Sequence, residues 1–375
     1  MNILMLNYEF PPIGGGAAKA HQCLLRQYAG RDNLHVQVLT SAPRPGVVSE
    51  KFSENITIHR VGVHKKDLHF WRRSEVIEWL LRAGFHYRRL LRENRYDLVH
   101  AFFGFPTGWL CYRNVGGSPY IISLRGSDVP GQHARFQLEY KVLAPVFRAI
   151  WKKAAALVAC SEGLKNRALH FLPSAAIDVI PNGVELDRFY PAETAQKPDT
   201  LRLLTVGRLS VTKRVEMLVD AVEILHKEGR RLRFTIVGGG VVEPQLRQMV
   251  LRKNLNNTVE ITGRADPDDM PQIYRQADIL ISASMQEGMS NAMLEAMASG
   301  LPIVTTRCEG LEELIADNGI IVEPANAGLI AGAIKKLADD RPLCSQMSLA
   351  ARRRAEQFSW SIAAEQYLAL YERLR

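Results

Sequence analysis

A chain of 375 residues is too long for one ordinary hydrophobic core, so two domains are expected. Its 47% apolar and 23% charged composition is that of a soluble globular protein, and no apolar run reaches the length of a membrane-spanning helix. Five scattered cysteines without a CxxC pair argue against a zinc site or a disulfide framework and suggest a reducing cytoplasm. The net charge of +9 is uneven: residues 1–190 hold 25 Lys and Arg against 15 Asp and Glu, while residues 191–375 hold 23 against 24. Basicity confined to one half implies a task for that half, such as meeting an anionic surface.

In chain order, MNILMLNYEF lacks a basic leader and a cleavage site and reads as a first strand. Further strands are expected at VQVLT, ITIHRV, LVHAF, YIISL, ALVACS and IDVIP. Helices are expected over 17–29, 74–95 and about 134–155. The polar stretch YPAETAQKPDT, 190–200, with two prolines, reads as a linker. The alternation then restarts with LRLLTVG, a helix over 215–228, LRFTIVGGG, a helix over 244–254, VEITG and a helix ending near Ala277. DILISAS, a helix over 291–299, PIVTT, GIIVE and C-terminal helices follow. Strands joined by crossover helices imply parallel sheets. The expected fold is therefore α/β, with two Rossmann-like domains facing an interdomain cleft: 1–190, 200–357, and a last helix over 358–375 that packs back on the first domain. Ligands in such sheets sit at the carboxyl ends of strands.

The stretch EGMSNAMLEAMASGLPIV, 287–304, carries two carboxylates, Glu287 and Glu295. Ser290 can cap a helix that begins at Asn291, and Gly300 can end it. Glu287 then precedes the helix and Glu295 lies within it, so the two can flank a helix N-terminus, where free amides attract an anion. A general acid–base pair, two hydrogen-bonding groups on one ligand and a solvated helix face are all compatible with the spacing. VGRLSVTKR puts Arg208 and Lys213 at another strand end, a pairing suited to a diphosphate. IVGGG places Gly238 at a third strand end.

These motifs resemble those of glycosyltransferase family 4. The resemblance is carried by Glu287 and Glu295 seven residues apart, G-R-L-x-x-x-K-R from Gly207 to Arg214, PNGV-x-x-x-x-F at 181–189, and the loop YEFPPIGGGA. It covers essentially the whole chain. The resemblance implies the GT-B fold and a retaining, metal-independent hexosyl transfer from a nucleoside-diphosphate sugar, UDP favoured and GDP the alternative. By the same resemblance Glu287 holds the sugar and Glu295 the ribose. Gly288, Met289, Ser290, Asn291 and Ala292 supply amides to sugar hydroxyls and phosphate. Arg208 and Lys213 offset charge on the leaving diphosphate, with Gly207 and Gly238 in their loops, and Gly15 and Gly16 lie near the diphosphate. Gly14, His100, Arg125 and Asp128 are assigned to the acceptor side. Many relatives carry His where this chain has Arg125, and a permanently charged Arg cannot shuttle a proton near neutral pH. No cofactor and no metal ligands are expected.

The stretch 64–95 holds nine Lys and Arg against four acids, interleaved with Phe70, Trp71, Trp79, Leu80, Leu81, Phe85 and Tyr87. It reads either as an interfacial membrane element, with the tryptophans inserting if they face outward, or as a sheet-packing helix with a solvated basic face. A glycolipid or polysaccharide precursor at the cytoplasmic membrane face is the expected acceptor. A small soluble acceptor, or a non-catalytic nucleotide- or glycan-binding protein, is the alternative. A nucleic-acid partner is not expected, because no reader motif occurs and the second half has no basic excess.

Overall fold

The structure, a computed structural model, describes residues 1–113, 118–131, 137–192 and 199–375. Most of the expected linker, 193–198, and the first residues of the helix expected from about 134 lie outside the described residues. The chain divides into two compact units, Met1–Asn182 with Trp360–Arg375, and Gly183–Ser359.

In the first unit the order is β1 (Asn2–Leu6), α1 (Gly16–Tyr28), β2 (His35–Ala42), β3 (Val47–Ser53), β4 (Ile56–Gly62), α2 (Arg73–Glu93) and β5 (Leu98–Phe102). It continues through α3 (Thr107–Arg113), β6 (Tyr120–Ser123), α4 (Gln137–Lys153), β7 (Ala156–Ala159), α5 (Glu162–Phe171) and β8 (Ile177–Val179). The eight strands form one sheet in the order β3-β4-β2-β1-β5-β6-β7-β8, parallel except for β3. The central strands are continuous apolar runs: Ile3 to Leu6 and all of Leu98–Phe102 are buried, as expected of parallel strands covered on both faces. The antiparallel edge strand β3 was not anticipated. Its sequence, VVSEKFS, is largely exposed, so no burial pattern marks it.

The second unit runs β9 (Leu201–Val206), α6 (Val215–Lys227), β10 (Leu232–Val237), α7 (Glu243–Arg252), β11 (Val259–Gly263), α8 (Met270–Arg275) and β12 (Ile279–Ser282). Then come α9 (Asn291–Ala298), β13 (Ile303–Thr306), β14 (Gly319–Val322), α10 (Ala327–Asp339) and α11 (Arg341–Ala355). Its six parallel strands are ordered β11-β10-β9-β12-β13-β14. The order reverses between β9 and β12, which pair at Leu204 and Leu280. Helix α6 shows why these segments are amphipathic: Val215, Leu218, Val219, Ala221, Val222 and Leu225 are buried at helical spacing and join Leu203, Phe234 and Ile281 in the core.

The last helix, α12 (Trp360–Leu374), belongs to the first unit. Its buried face, Trp360, Ala363, Ala364, Tyr367, Leu370 and Tyr371, completes a core with Ile3, Met5, Leu24, Val36 and Phe102. No helix among the described residues is long and apolar enough to cross a membrane.

Candidate active site

The topological reversal between β9 and β12 leaves a crevice at their carboxyl ends, where open α/β sheets take ligands. An open cleft lies there. Gly207, Arg208 and Lys213 line it from the β9 side, and Ser284, Glu287, Ser290 and Ala292 from the β12–α9 side. Ser290 caps α9, its Oγ accepting from the Met293 amide at 3.4 Å. Ser290, Ala292 and Met293 are all in the lining, so the first turn of α9, with its positive dipole end, opens into the cavity.

Within the cavity the Lys213 ammonium donates to Glu287 Oε1, and the Ser284 hydroxyl donates to the same oxygen at 2.8 Å. The guanidinium of Arg208 is exposed at the rim and pairs with no carboxylate among the described residues. A neutralised Lys–Glu pair thus stands next to an uncompensated cation and a helix N-terminus. Chemically, such an arrangement suits a polyanion that also carries hydroxyl groups.

Of the other expected donor-side residues, Gly288, Met289 and Asn291 lie in the same loop and helix start as Ser290 and Ala292. Glu295 is one turn into α9 and only 8% exposed, and its Oε2 accepts from the Tyr274 hydroxyl at 2.9 Å. It does not line this cavity. Gly238 does not line it either. With φ +140, a Cβ there would stand 1.8 Å from the Gly207 carbonyl oxygen, so this glycine lets the β10 loop pack behind the β9 loop. The Gly207 amide donates to Val237 O at 2.9 Å, and the Leu209 amide to Gly239 O at 3.1 Å.

Two organisers of the cavity escaped the sequence argument. Arg214, in a left-handed conformation before α6, donates from Nε to Ala283 O at 2.7 Å and from its terminal nitrogen to Thr306 Oγ1 at 3.1 Å. It ties the β9 loop to the ends of β12 and β13, as does the Met285 amide by donating to Thr212 O at 2.8 Å. The second is Ser284, which holds Glu287. Arg214 ends the G-R-L-x-x-x-K-R run, but its spacing alone does not reveal whether it points at a ligand or at backbone.

In the first unit Gly14, Gly15 and Gly16 form the turn from β1 into α1. Gly14 has φ +102, its amide donates to Leu68 O at 2.9 Å, and its carbonyl meets His69 Nδ1 at 2.6 Å. After β6, Asp128 accepts from the Gly104 amide at 2.6 Å and the Arg125 amide at 2.8 Å, so it locks two loops together. Burial raises its carboxyl above the usual range despite those amides. Arg125 donates to Asn182 Oδ1 at 2.8 Å and lies 5.7 Å from the Phe102 ring centre.

His100 has no exposed surface. Its Nδ1 bonds the Tyr371 hydroxyl and its Nε2 bonds Ser123 Oγ, both at 2.7 Å, and Ser123 Oγ bonds Tyr367. The ring stacks on Phe102, which stacks in turn on His21. Both ring nitrogens are engaged inside the fold, joining α12 to the sheet, and neither points to an acceptor. Burial, reinforced by Arg125, depresses His21 to about 3; burial, then His21 and Arg125, holds His100 well below 6.5. Among the described residues no group of three or more His, Cys, Asp or Glu is placed to hold a metal ion.

Comparison with known proteins agrees with this fold. The family model described as Glycosyltransferase Family 4 matches residues 14–188, and that described as Glycosyl transferases group 1 matches residues 200–340. The chain is 25% identical to an uncharacterized glycosyltransferase of Methanocaldococcus jannaschii, covering 100% of this chain and 99% of that one. Its fold is similar to that of sucrose-phosphate synthase from Thermosynechococcus elongatus, with a TM-score of 0.82 at 22% identity, covering 100% and 98% of the two chains. It is also similar to Anabaena HepE in complex with UDP-glucose, with a TM-score of 0.76 at 18% identity and 99% of each chain. Two parallel-sheet units and two family models over most of the chain agree: the protein belongs to the GT-B glycosyltransferases, with a family 4 domain followed by a group 1 domain.

Proposed function

We propose that the protein moves a hexosyl group from a nucleoside-diphosphate sugar, UDP favoured over GDP, to a hydroxyl of a glycolipid or polysaccharide precursor. In this reading configuration is retained and no metal takes part. The observation that carries the donor reading is the convergence of Lys213, Arg208 and the α9 N-terminus on one cavity with Glu287. The likeness to HepE, solved with UDP-glucose, supports UDP.

As the bond between the anomeric carbon and the diphosphate oxygen breaks, its electron pair leaves on the diphosphate. Lys213 and Arg208 stabilise that growing charge, and a positioned cation in a cavity of this kind needs no reorganisation at the moment of reaction. Glu287 accepts from sugar hydroxyls, with Ser284 holding its carboxylate in place. The Lys213–Glu287 pair keeps both groups poised before the donor arrives. The resemblance assigns the ribose hydroxyls to Glu295, which Tyr274 holds one turn along α9 from the cavity lining. Arg125 and Asp128 stand on the acceptor side, Asp128 acting through the loop it locks.

A small soluble acceptor is the second reading. It is favoured by the likeness to sucrose-phosphate synthase, an enzyme named for a small phosphorylated sugar. Screening nucleotide sugars and acceptors by mass spectrometry, with NMR of the product's anomeric proton, tests the whole reading. Inversion at that carbon, or no turnover of any nucleotide sugar, overturns it.

A further inference from the structure

The outer face of α2 carries a line of large apolar side chains that the fold leaves uncovered. Ile77, Leu81 and Phe85 follow one another at four-residue spacing and are 58%, 72% and 68% exposed. They share one side of the helix. The opposite side, Trp79, Ala83, Tyr87 and Leu90, is buried where α2 packs on β2, β4 and α3. Phe70 and Leu68, just before the helix, are 41% and 38% exposed.

The charges around this line have one dominant sign. Arg73 stands four residues before Ile77, and Arg88 and Arg92 follow Phe85 on the same side of the helix. Arg88 and Arg92 pair with no carboxylate among the described residues. Arg82 and Arg89 flank the line, paired with Glu78 and Glu93 respectively. Lys65, by contrast, is no part of this face: its ammonium is buried 2.8 Å from Glu75 and 3.9 Å from the Trp71 ring centre. Trp71 and Trp79 both turn inward.

We propose that this face of α2, with Phe70 and Leu68, is the surface by which the protein lies on an anionic lipid bilayer. Ile77, Leu81 and Phe85 sink into the boundary between headgroups and acyl chains, while the arginines extend to lipid phosphates. A second copy of the chain is disfavoured as the occupant, since two such arginine-lined faces repel. A nucleic acid would leave the apolar line in water. The inference deepens the glycolipid reading of the acceptor, and vesicle binding is read out separately from the donor site.

Cosedimentation with phosphatidylglycerol–phosphatidylcholine vesicles, against phosphatidylcholine alone, reads the attachment. The full chain is expected to bind the anionic vesicles at low salt and to be released at high salt. The triple variant Ile77→Ser, Leu81→Ser, Phe85→Ser should lose binding by roughly tenfold or more, and Arg88→Ser with Arg92→Ser should weaken it and flatten its salt dependence. Since all five residues are on the surface, near-native circular dichroism and unchanged UDP affinity by calorimetry are expected. Equal recovery with both vesicle types, or wild-type binding by the triple variant, overturns the proposal. So does a wild-type dimer, seen by light scattering, that the triple variant dissolves. Failure of UDP binding in the wild-type protein would instead count against the donor-site reading.

Discussion

At the residue scale, the cavity couples groups that resemblance treats separately. Lys213 and Glu287 form one pair without ligand. Lys213→Ala is expected to lower kcat by roughly 100-fold or more, the effect of losing one preorganised charge stabiliser. Arg208→Ala should fall in the same range, with little change in melting temperature because its guanidinium is exposed. Steady-state kinetics on any accepted donor decide this; near-normal turnover in Lys213→Ala removes its assigned role. The two glutamates should separate by calorimetry with UDP. Glu295→Ala weakens nucleotide binding, whereas Glu287→Ala spares it and impairs use of the full donor; equal loss in both contradicts the division. The proposed metal independence is tested at this scale too, since the assigned charges come from side chains and a helix end. Chelation should leave turnover intact, and loss of activity restored by magnesium or manganese overturns that mechanism.

At the element scale, the loops after β9 and β10 are one construction. Gly238 and Gly240 exist in their sequence because the backbones of Gly207 and Leu209 press against them, with hypothetical Cβ atoms 1.8 and 2.1 Å from carbonyl oxygens. Gly238→Ala would therefore push the loop that carries Arg208 and Lys213. It is expected to cost about 1–3 kcal/mol or more in stability, on the scale of forced backbone strain, and to weaken UDP binding along with it. Urea melts and calorimetry on the same variant check both effects; unchanged UDP affinity would mean that the β9 loop does not depend on its support. The GGG run itself was plain in the sequence. Its purpose was not, because a close approach of two backbones leaves the same signature as a close approach to a ligand. Helix α2 makes the same point. The apolar and basic composition of the helix and the stretch before it was visible, but the inward turn of Trp71 and Trp79 and the burial of Lys65 depend on what this segment packs against.

At the scale of the whole molecule, the first unit is completed by the last residues of the chain. His100, Ser123, Tyr367 and Tyr371 make a buried network between sheet and α12, so removing one member strands the others. Tyr371→Phe leaves His100 Nδ1 without its partner and should cost about 1–3 kcal/mol in denaturant melts; no loss would show that the network is dispensable. His21 and His100 are held neutral in the folded state, below the ordinary value of 6.5. As pH falls below 6.5 the unfolded chain takes up protons that the folded chain refuses. Stability is therefore full above that pH and declines below it, for His21 by about 1.4 kcal/mol per pH unit toward about 3, with His100 acting in the same direction. His21→Gln should flatten the pH dependence of the melting temperature between 6.5 and 4.5; an unchanged slope removes His21 from this account. By itself the sequence determined the alternation of strands and helices and the parallel sheets, because these follow from local periodicity and capping, while the candidate donor residues came from the resemblance of its motifs to glycosyltransferase family 4. Only the tertiary structure decided that His100 is internal, that Gly238 supports a loop, that Arg214 ties strand ends, and which face of α2 remains uncovered. Each of these depends on partners distant in sequence, such as Tyr371 for His100 and Thr306 for Arg214, and no local pattern records them.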